Sequence, residues 1–155
     1  MLDRKEMLIL ANLRTNARET LTSMSKKTSI PVSTIFEKLR GYEKGLIKKH
    51  TTLIDFSMLG YKTRASILVK VSKDNRDQLR NFLLLNKSLN SVYKINNGYD
   101  FMMEGVFKEL RDVEVFLDRL ENDFNVTEKY VYYIVDELKR EDFMSSAEYS
   151  GFNPN

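Results

Sequence analysis

The sequence predicts an α+β chain: three short helices, then strands and helices in the order β-α-β-β-α-β. Three observations carry this. Apolar residues recur at helical spacing through residues 2–42. They alternate with a period of two in 63–71, recur on both faces of 101–108 and 126–138, and form two further helical stripes between the strands. Breakers fall at the joints: Pro31, Gly45, Gly60 and Asn97-Gly98.

The first helix is expected from Leu2 to Leu13. Leu2, Ile9, Leu10 and Leu13 share one face, with Arg4, Lys5 and Glu6 outside. Thr15-Asn16 interrupts it. A second helix is expected from about Ala17 to Lys26, with Leu21 and Met24 inward and Arg18 and Glu19 outside. It must end before Pro31, because proline cannot sit in a helix interior and restricts the residue before it. The third begins near Pro31, where proline's missing N–H costs nothing, with Ser29 as its cap. Ile35, Leu39 and Tyr42 recur at +4 and +3 and turn inward. Val32, Ser33, Thr34, Glu37, Lys38 and Arg40 are left toward solvent or a partner. Gly41 and Gly45 bracket the end. Leu46-Ile47 is read as the start of a buried strand, with Lys48, Lys49 and His50 on its exposed side.

That succession is the layout of a winged helix-turn-helix, which sets one helix in a DNA major groove. Small hydroxylated residues at the start of that helix allow close approach. Ser33 and Thr34 can bond phosphate or base edges, and Lys38 and Arg40 can reach phosphate or guanine. Glu37 either accepts from a cytosine amino group or points away. Arg14, Arg18, Lys48 and Lys49 are candidate phosphate contacts. Charge agrees: residues 1–60 carry 11 Lys/Arg against 6 Asp/Glu, net +5, while 61–155 carry 14 against 16, net −2. The competing reading is a three-helix bundle whose outer face is merely solvated.

Residues 51–62 read as a connection whose apolar content makes it pack. In the second region, Ala65, Ile67, Val69 and Val71 share one strand face. A helix follows from about Asp74 to Asn86, with Leu79, Phe82 and Leu83 inward. Then come a strand at 91–96, a turn at Asn97-Gly98, a strand at 101–108, a helix from about Leu110 to Asn122 striped by Val113, Phe116, Leu117 and Leu120, and a last strand at 126–138. This is the ferredoxin-like arrangement. Its two helices cover one sheet face. Yet the strands are apolar on both sides, with Phe101, Met103 and Phe107 opposite Met102 and Val106, and Tyr130, Tyr132 and Ile134 opposite Val131, Tyr133 and Val135, so a second copy of the sheet is the expected cover of the other face. The organisation predicted is a winged helix-turn-helix domain at 1–50, a connection at 51–62, a ferredoxin-like domain at 63–140 and a flexible tail at 141–155.

Little else in the chain suggests chemistry. There is no cysteine and one histidine, His50, read as a surface residue of the wing. No HExxH, GxSxG or phosphate-binding glycine loop occurs, so no enzyme, metal site or cofactor is expected. No signal peptide or membrane span is read, and the expected location is the cytoplasm. The one polar cluster among the strands is Asn96, Asn97, Gly98, Tyr99 and Asp100. It either receives a small amine-bearing ligand or holds its own turn through backbone N–H groups.

Taken together, the chain resembles the Lrp/AsnC (leucine-responsive, feast/famine) family of prokaryotic transcription regulators. The matching residues are Ile9-Leu10, Leu13, Ala17-Arg18, Ser33-Thr34-Ile35, Lys38-Leu39, Gly45-Leu46-Ile47, Ile54-Asp55, Leu59-Gly60-Tyr61 and Tyr99-Asp100-Phe101, in order over nearly all of 2–140. Two departures stand out. The family's Leu-Glu-x-x-Gly ending is here Tyr42-Glu43-Lys44-Gly45, one residue shorter, and Asn97 stands where a glycine usually precedes the Tyr-Asp pair. The resemblance implies repression or activation through double-stranded DNA, homodimers that assemble further into octamers, and an amino-acid-like effector near the 96–100 turn. The alternatives are a small-molecule-sensing or enzymatic ferredoxin-like protein without DNA work, and an architectural DNA-binding protein with little sequence preference.

Overall fold

A computed structural model describes residues 2–146 and divides into two compact units. One holds the residues before Leu53 together with those after Glu137. The other is Leu53–Glu137. Residues 147–155 of the tail expected at 141–155 lie outside the described residues.

In the first unit, α1 spans Arg4–Thr15. Asp3 starts it through a capping box: the Glu6 N–H donates to the Asp3 carboxylate, and the Asp3 N–H donates to Glu6, both at 2.8 Å. The second helix, α2, is Leu21–Thr28, four residues later than expected. The Asn16 side chain accepts the Arg18 N–H and holds a turn there, and the Thr20 hydroxyl caps α2 by accepting from Ser23. Glu19, expected outside, is drawn in to an ion pair with Lys27.

Helix α3 is Val32–Tyr42. Ser29 does not cap it. Ser29 ends α2 in the left-handed conformation (φ 57°) and Pro31 occupies the N-cap position. The reversal needs one left-handed residue and a plug, and Ile30, 1% exposed, fills the space between the helices. The core joins Ile9, Leu10, Met24, Ile30, Ile35 and Tyr42, flanked by Leu13, Leu21, Leu39 and Ile47. The strand expected from Leu46 does not form. Ile47 donates its N–H to Tyr42 and is half-buried, Leu46 is exposed, and 47–52 run on without pairing. A strand needs a ladder partner, and this unit has none among the described residues. In 141–146, the described part of the expected tail, the Glu141, Phe143 and Ser145 carbonyls accept hydrogen bonds from Arg14 and Thr15 at the end of α1.

The second unit opens with a short turn, Phe56–Leu59, capped by Asp55, whose carboxylate accepts the Ser57 N–H at 2.9 Å. The apolar residues of 54–61 are expected to pack, Ile54, Met58 and Leu59 among them. In the single chain these three, with Leu53 just before, are exposed, Met58 by 85%. Next come β1 (Thr63–Val71), α4 (Arg76–Leu85), β2 (Leu89–Lys94), β3 (Phe101–Phe107), α5 (Leu110–Phe124) and β4 (Val126–Tyr133). The sheet is antiparallel with order β2-β3-β1-β4. The final strand stops five residues short of expectation because β1 begins at Thr63: Tyr133 pairs with Ala65, Ile134 still donates to Arg64, and nothing lies beyond to pair with. A register shift between Leu89 and Ser91 lets β2 start two residues early.

Alternation sorts the faces. Ala65, Ile67, Val69 and Val71 lie buried with Met103, Phe107, Leu79, Leu83, Val113, Phe116, Leu117 and Leu120. Gly105 sits on that face, where an added Cβ would meet the Phe107 ring. On the opposite face Tyr93, Tyr130 and Tyr132 are each more than half exposed. The Tyr130 and Tyr132 rings stack at 6.5 Å, and Tyr99 meets Tyr130 edge-on at 5.6 Å.

Candidate nucleic-acid interface

The turn at Ser29-Ile30-Pro31 sets where α3 starts, and Ile35 and Tyr42 fix its rotation by pointing into the core. Consequently Val32, Ser33, Phe36, Glu37 and Arg40 are exposed, while Thr34 is half-buried. Pro31 provides no side-chain cap, so the first-turn N–H groups of α3 face outward without a side-chain acceptor. Such an end suits a phosphate oxygen. Val32, Phe36 and Arg40 form one i, i+4, i+8 row, with the Arg40 guanidinium 5.8 Å from the Phe36 ring centre.

The sequence-predicted cations divide into two sets. Arg40, Lys48 and Lys49, with Lys44, are exposed and make no ion pair among the described residues, and Arg18 is likewise exposed and unpaired. Arg14 and Lys38 are committed elsewhere. The Arg14 guanidinium donates to the Glu141 carbonyl at 2.7 Å, to the Glu141 carboxylate at 3.1 Å and to the Phe143 carbonyl at 3.0 Å. Beside it, the Thr15 hydroxyl donates to the Ser145 carbonyl. Lys38 bonds Glu6 of α1 at 2.7 Å. That bond holds the Glu6 carboxyl below its ordinary range and the Lys38 ammonium above its own. Tyr42 is buried beside them. Desolvation, then the Glu6 charge, pushes its phenol well up, and its buried hydroxyl is left unbonded. Arg14 and Lys38 thus serve the unit's own architecture rather than offering free charge.

His50 is exposed and lies 3.7 Å from Glu43. Phe36 and Lys44 were missed in the sequence. Lys44 was legible as a neighbour of Gly45. Phe36 was not, because an aromatic residue inside an apolar-rich helix reads as core until the helix's rotation is known.

In the 96–100 turn, Asp100 is bonded within the fold. Asn97 and Gly98 adopt left-handed backbone (φ 66° and 96°). The Asp100 carboxylate accepts the Val71 N–H at 2.9 Å and pairs with Arg76 at 2.6 Å, while its N–H donates to Val69. Asp100 therefore ties the turn to the end of β1 and the start of α4. Asn96, Asn97 and Gly98 are exposed beside it. A cleft of about 290 Å³ lies elsewhere in this unit, lined by residues that include Tyr61, Asn86, Ser88, Lys108, Asp112 and Arg119.

No model of a known protein family matches the chain. Individual proteins do. The HTH-type transcriptional regulator FL11 of Pyrococcus horikoshii is 33% identical over 118 residues, 76% of this chain and 78% of that one. Transcriptional regulator AzlB of Bacillus subtilis is 30% identical over 121 residues, 76% of this chain and 77% of that one. Among solved structures, the Neisseria meningitidis transcriptional regulator NMB0573 in complex with L-Met superposes with a TM-score of 0.83 at 20% identity, covering 90% of this chain and 94% of that one. LrpC of B. subtilis gives 0.81 at 18% (90% and 98%), and AsnC of E. coli gives 0.79 at 15% (90% and 96%).

Proposed function

The chain belongs to the Lrp/AsnC family of DNA-binding transcription regulators, and from that premise we propose which of its surfaces meet DNA, a second copy and an effector. Helix α3 enters the major groove. Val32, Ser33, Glu37 and Arg40 face base edges, and Arg18, Lys44, Lys48 and Lys49 meet phosphates. The observation that carries this is the run of cations from Arg40 to Lys49 that no carboxylate neutralises among the described residues. Exposed cations without internal partners keep their full counterion-releasing charge for a polyanion.

The protein acts as a homodimer formed through the open sheet face. Support comes from exposed Tyr93, Tyr130 and Tyr132 and from the uncovered apolar side chains of Leu53, Ile54, Met58 and Leu59. A two-fold pair presents two α3 helices to successive grooves, about 34 Å apart. Assembly into octamers extends the same reading. An amino-acid-like effector is received at the exposed turn residues Asn96, Asn97 and Gly98 with Tyr99. The L-Met complex of the Neisseria protein supports the ligand class. Asp100 supports the turn rather than the ligand. No helix among the described residues is long and apolar enough to cross a membrane, and a regulator of this kind works in the cytoplasm.

Selection of bound fragments from random duplex, followed by footprinting, tests the reading. It predicts a recurrent site with two halves about one helical turn apart. Even coverage without preference would make the protein architectural. Effector binding with no duplex retained would make it a sensor alone.

A further inference from the structure

We infer that Phe36 reads thymine methyl groups in the selected duplex, with Arg40 as the positioning residue that holds its ring. The inference rests on α3 lying in the major groove. Single exposed apolar side chains are ordinary on protein surfaces, and three features set this one apart. First, Phe36 is 48% exposed and Val32, one turn earlier, 41%, so the row presents a two-residue apolar ridge where a groove-facing helix usually carries polar readers. Second, the Arg40 guanidinium sits 5.8 Å from the ring centre, within cation–π range. It restrains the ring from the next turn while its remaining donors stay available to phosphate or guanine. Third, polar alternatives on this face are few. Lys38 is held by Glu6, and Thr34 is half-buried. Ser33, Glu37 and Arg40 are the polar groups left exposed among the candidate residues of α3.

A base edge complementary to a phenyl ring must be apolar. Within the major groove thymine alone meets that condition, through its C5 methyl. The expected operator therefore carries thymine in each half-site opposite Phe36, flanked by a position that Arg40 reads or by its phosphate.

The test uses the full chain and its selected duplex. Each thymine is replaced in turn by deoxyuridine, which removes the methyl and preserves pairing. At one or more positions per half-site the wild-type chain should show about fourfold weaker affinity per methyl, the effect of withdrawing one buried carbon from an apolar surface. Phe36→Ser should bind thymine and deoxyuridine duplexes equally. Phe36→Leu, still apolar, should retain part of the discrimination. The inference is overturned if wild type ignores the methyl at every position or if Phe36→Ser retains the penalty. Wild type selecting no duplex at all would remove the regulator reading along with it, and the selection step reports that separately. The deoxyuridine series on wild type requires no variant, so a variant that folds poorly leaves the question decidable.

Discussion

The two units differ in net charge and in where their unpaired cations lie. In the sheet-bearing unit most of the basic side chains along the sheet are neutralised within the fold. Arg64 pairs with Glu104 and Glu137, Arg76 with Asp100, Lys70 with Glu128 and Lys129 with Glu121. In the helical unit Arg14, Lys27 and Lys38 are paired, but the run from Arg40 to Lys49 has no carboxylate beyond the Glu43–His50 approach. The sheet-bearing unit also has cations without an ion pair among the described residues, Lys62, Lys73, Arg80, Lys87, Lys94, Lys108 and Arg111, but in the helical unit Arg40, Lys44, Lys48 and Lys49 fall together within 40–49, as on a surface built for an external polyanion. That concentration adds to a difference of seven in formal charge between residues 1–60 (+5) and 61–155 (−2).

The sharpest way to break that comparison is to remove cations from each unit in equal number. Replacing Arg40, Lys48 and Lys49 by alanine should weaken duplex binding by about a hundredfold or more near 0.1 M salt. It should also flatten the plot of log affinity against log salt by about 0.9 for each phosphate that is no longer neutralised. Replacing Lys70, Arg119 and Lys129 should leave binding within about twofold and the slope unchanged. Titration of a labelled duplex across a salt series reads both. Equal losses would show that the neutralised cations contribute as much as the free ones.

A smaller effect is expected where charge is structural. Asp100→Ala strips the acceptor from the Val71 N–H and the partner from Arg76. Hydrogen bonds to charged groups typically contribute about 1.5–3 kcal/mol, so the variant should lose stability of that order in urea denaturation. If the protein is held folded by low temperature, the duplex salt slope should stay intact.

The smallest effect concerns pH and the Glu6–Lys38 pair. The Glu6 carboxyl is held below its ordinary value of 4.5. Its contribution to stability is therefore full above that value and lost as pH falls through the depressed one. Lys38 is held above its ordinary 10.5, so its contribution is full below that value and lost as pH rises through the higher one. Wild type minus Glu6→Gln, compared by thermal melting, should show a constant advantage between about pH 5 and 10 that shrinks on both sides. A difference independent of pH would mean the pair is not formed.

How far the sequence disclosed this depends on the range of the interaction. Period-two and helical stripes report burial directly. Ala65, Ile67, Val69 and Val71, and the α5 stripe, were legible for that reason, as was the inward set of Ile35 and Tyr42 on α3. Helix ends were less legible. Ser29 and Thr20 are both plausible caps, and only the left-handed geometry between α2 and α3 assigns them. Pairing over long separations was not legible at all. Nothing local says that Arg14 is taken by Glu141, 127 residues away, or Lys38 by Glu6, 32 residues away. The last strand's end depended on where its neighbour β1 begins. The outer face of α3 was therefore readable as a set of positions, but the state of its charges was not.

The most direct test of that face is amide hydrogen exchange of the full chain, free and bound to its selected duplex. Protection should appear at the first turn of α3, around Val32–Thr34, and across residues 43–49, with the helix-covered face of the sheet unchanged. Protection confined to 53–137, with α3 exchanging as in the free protein, would contradict the account.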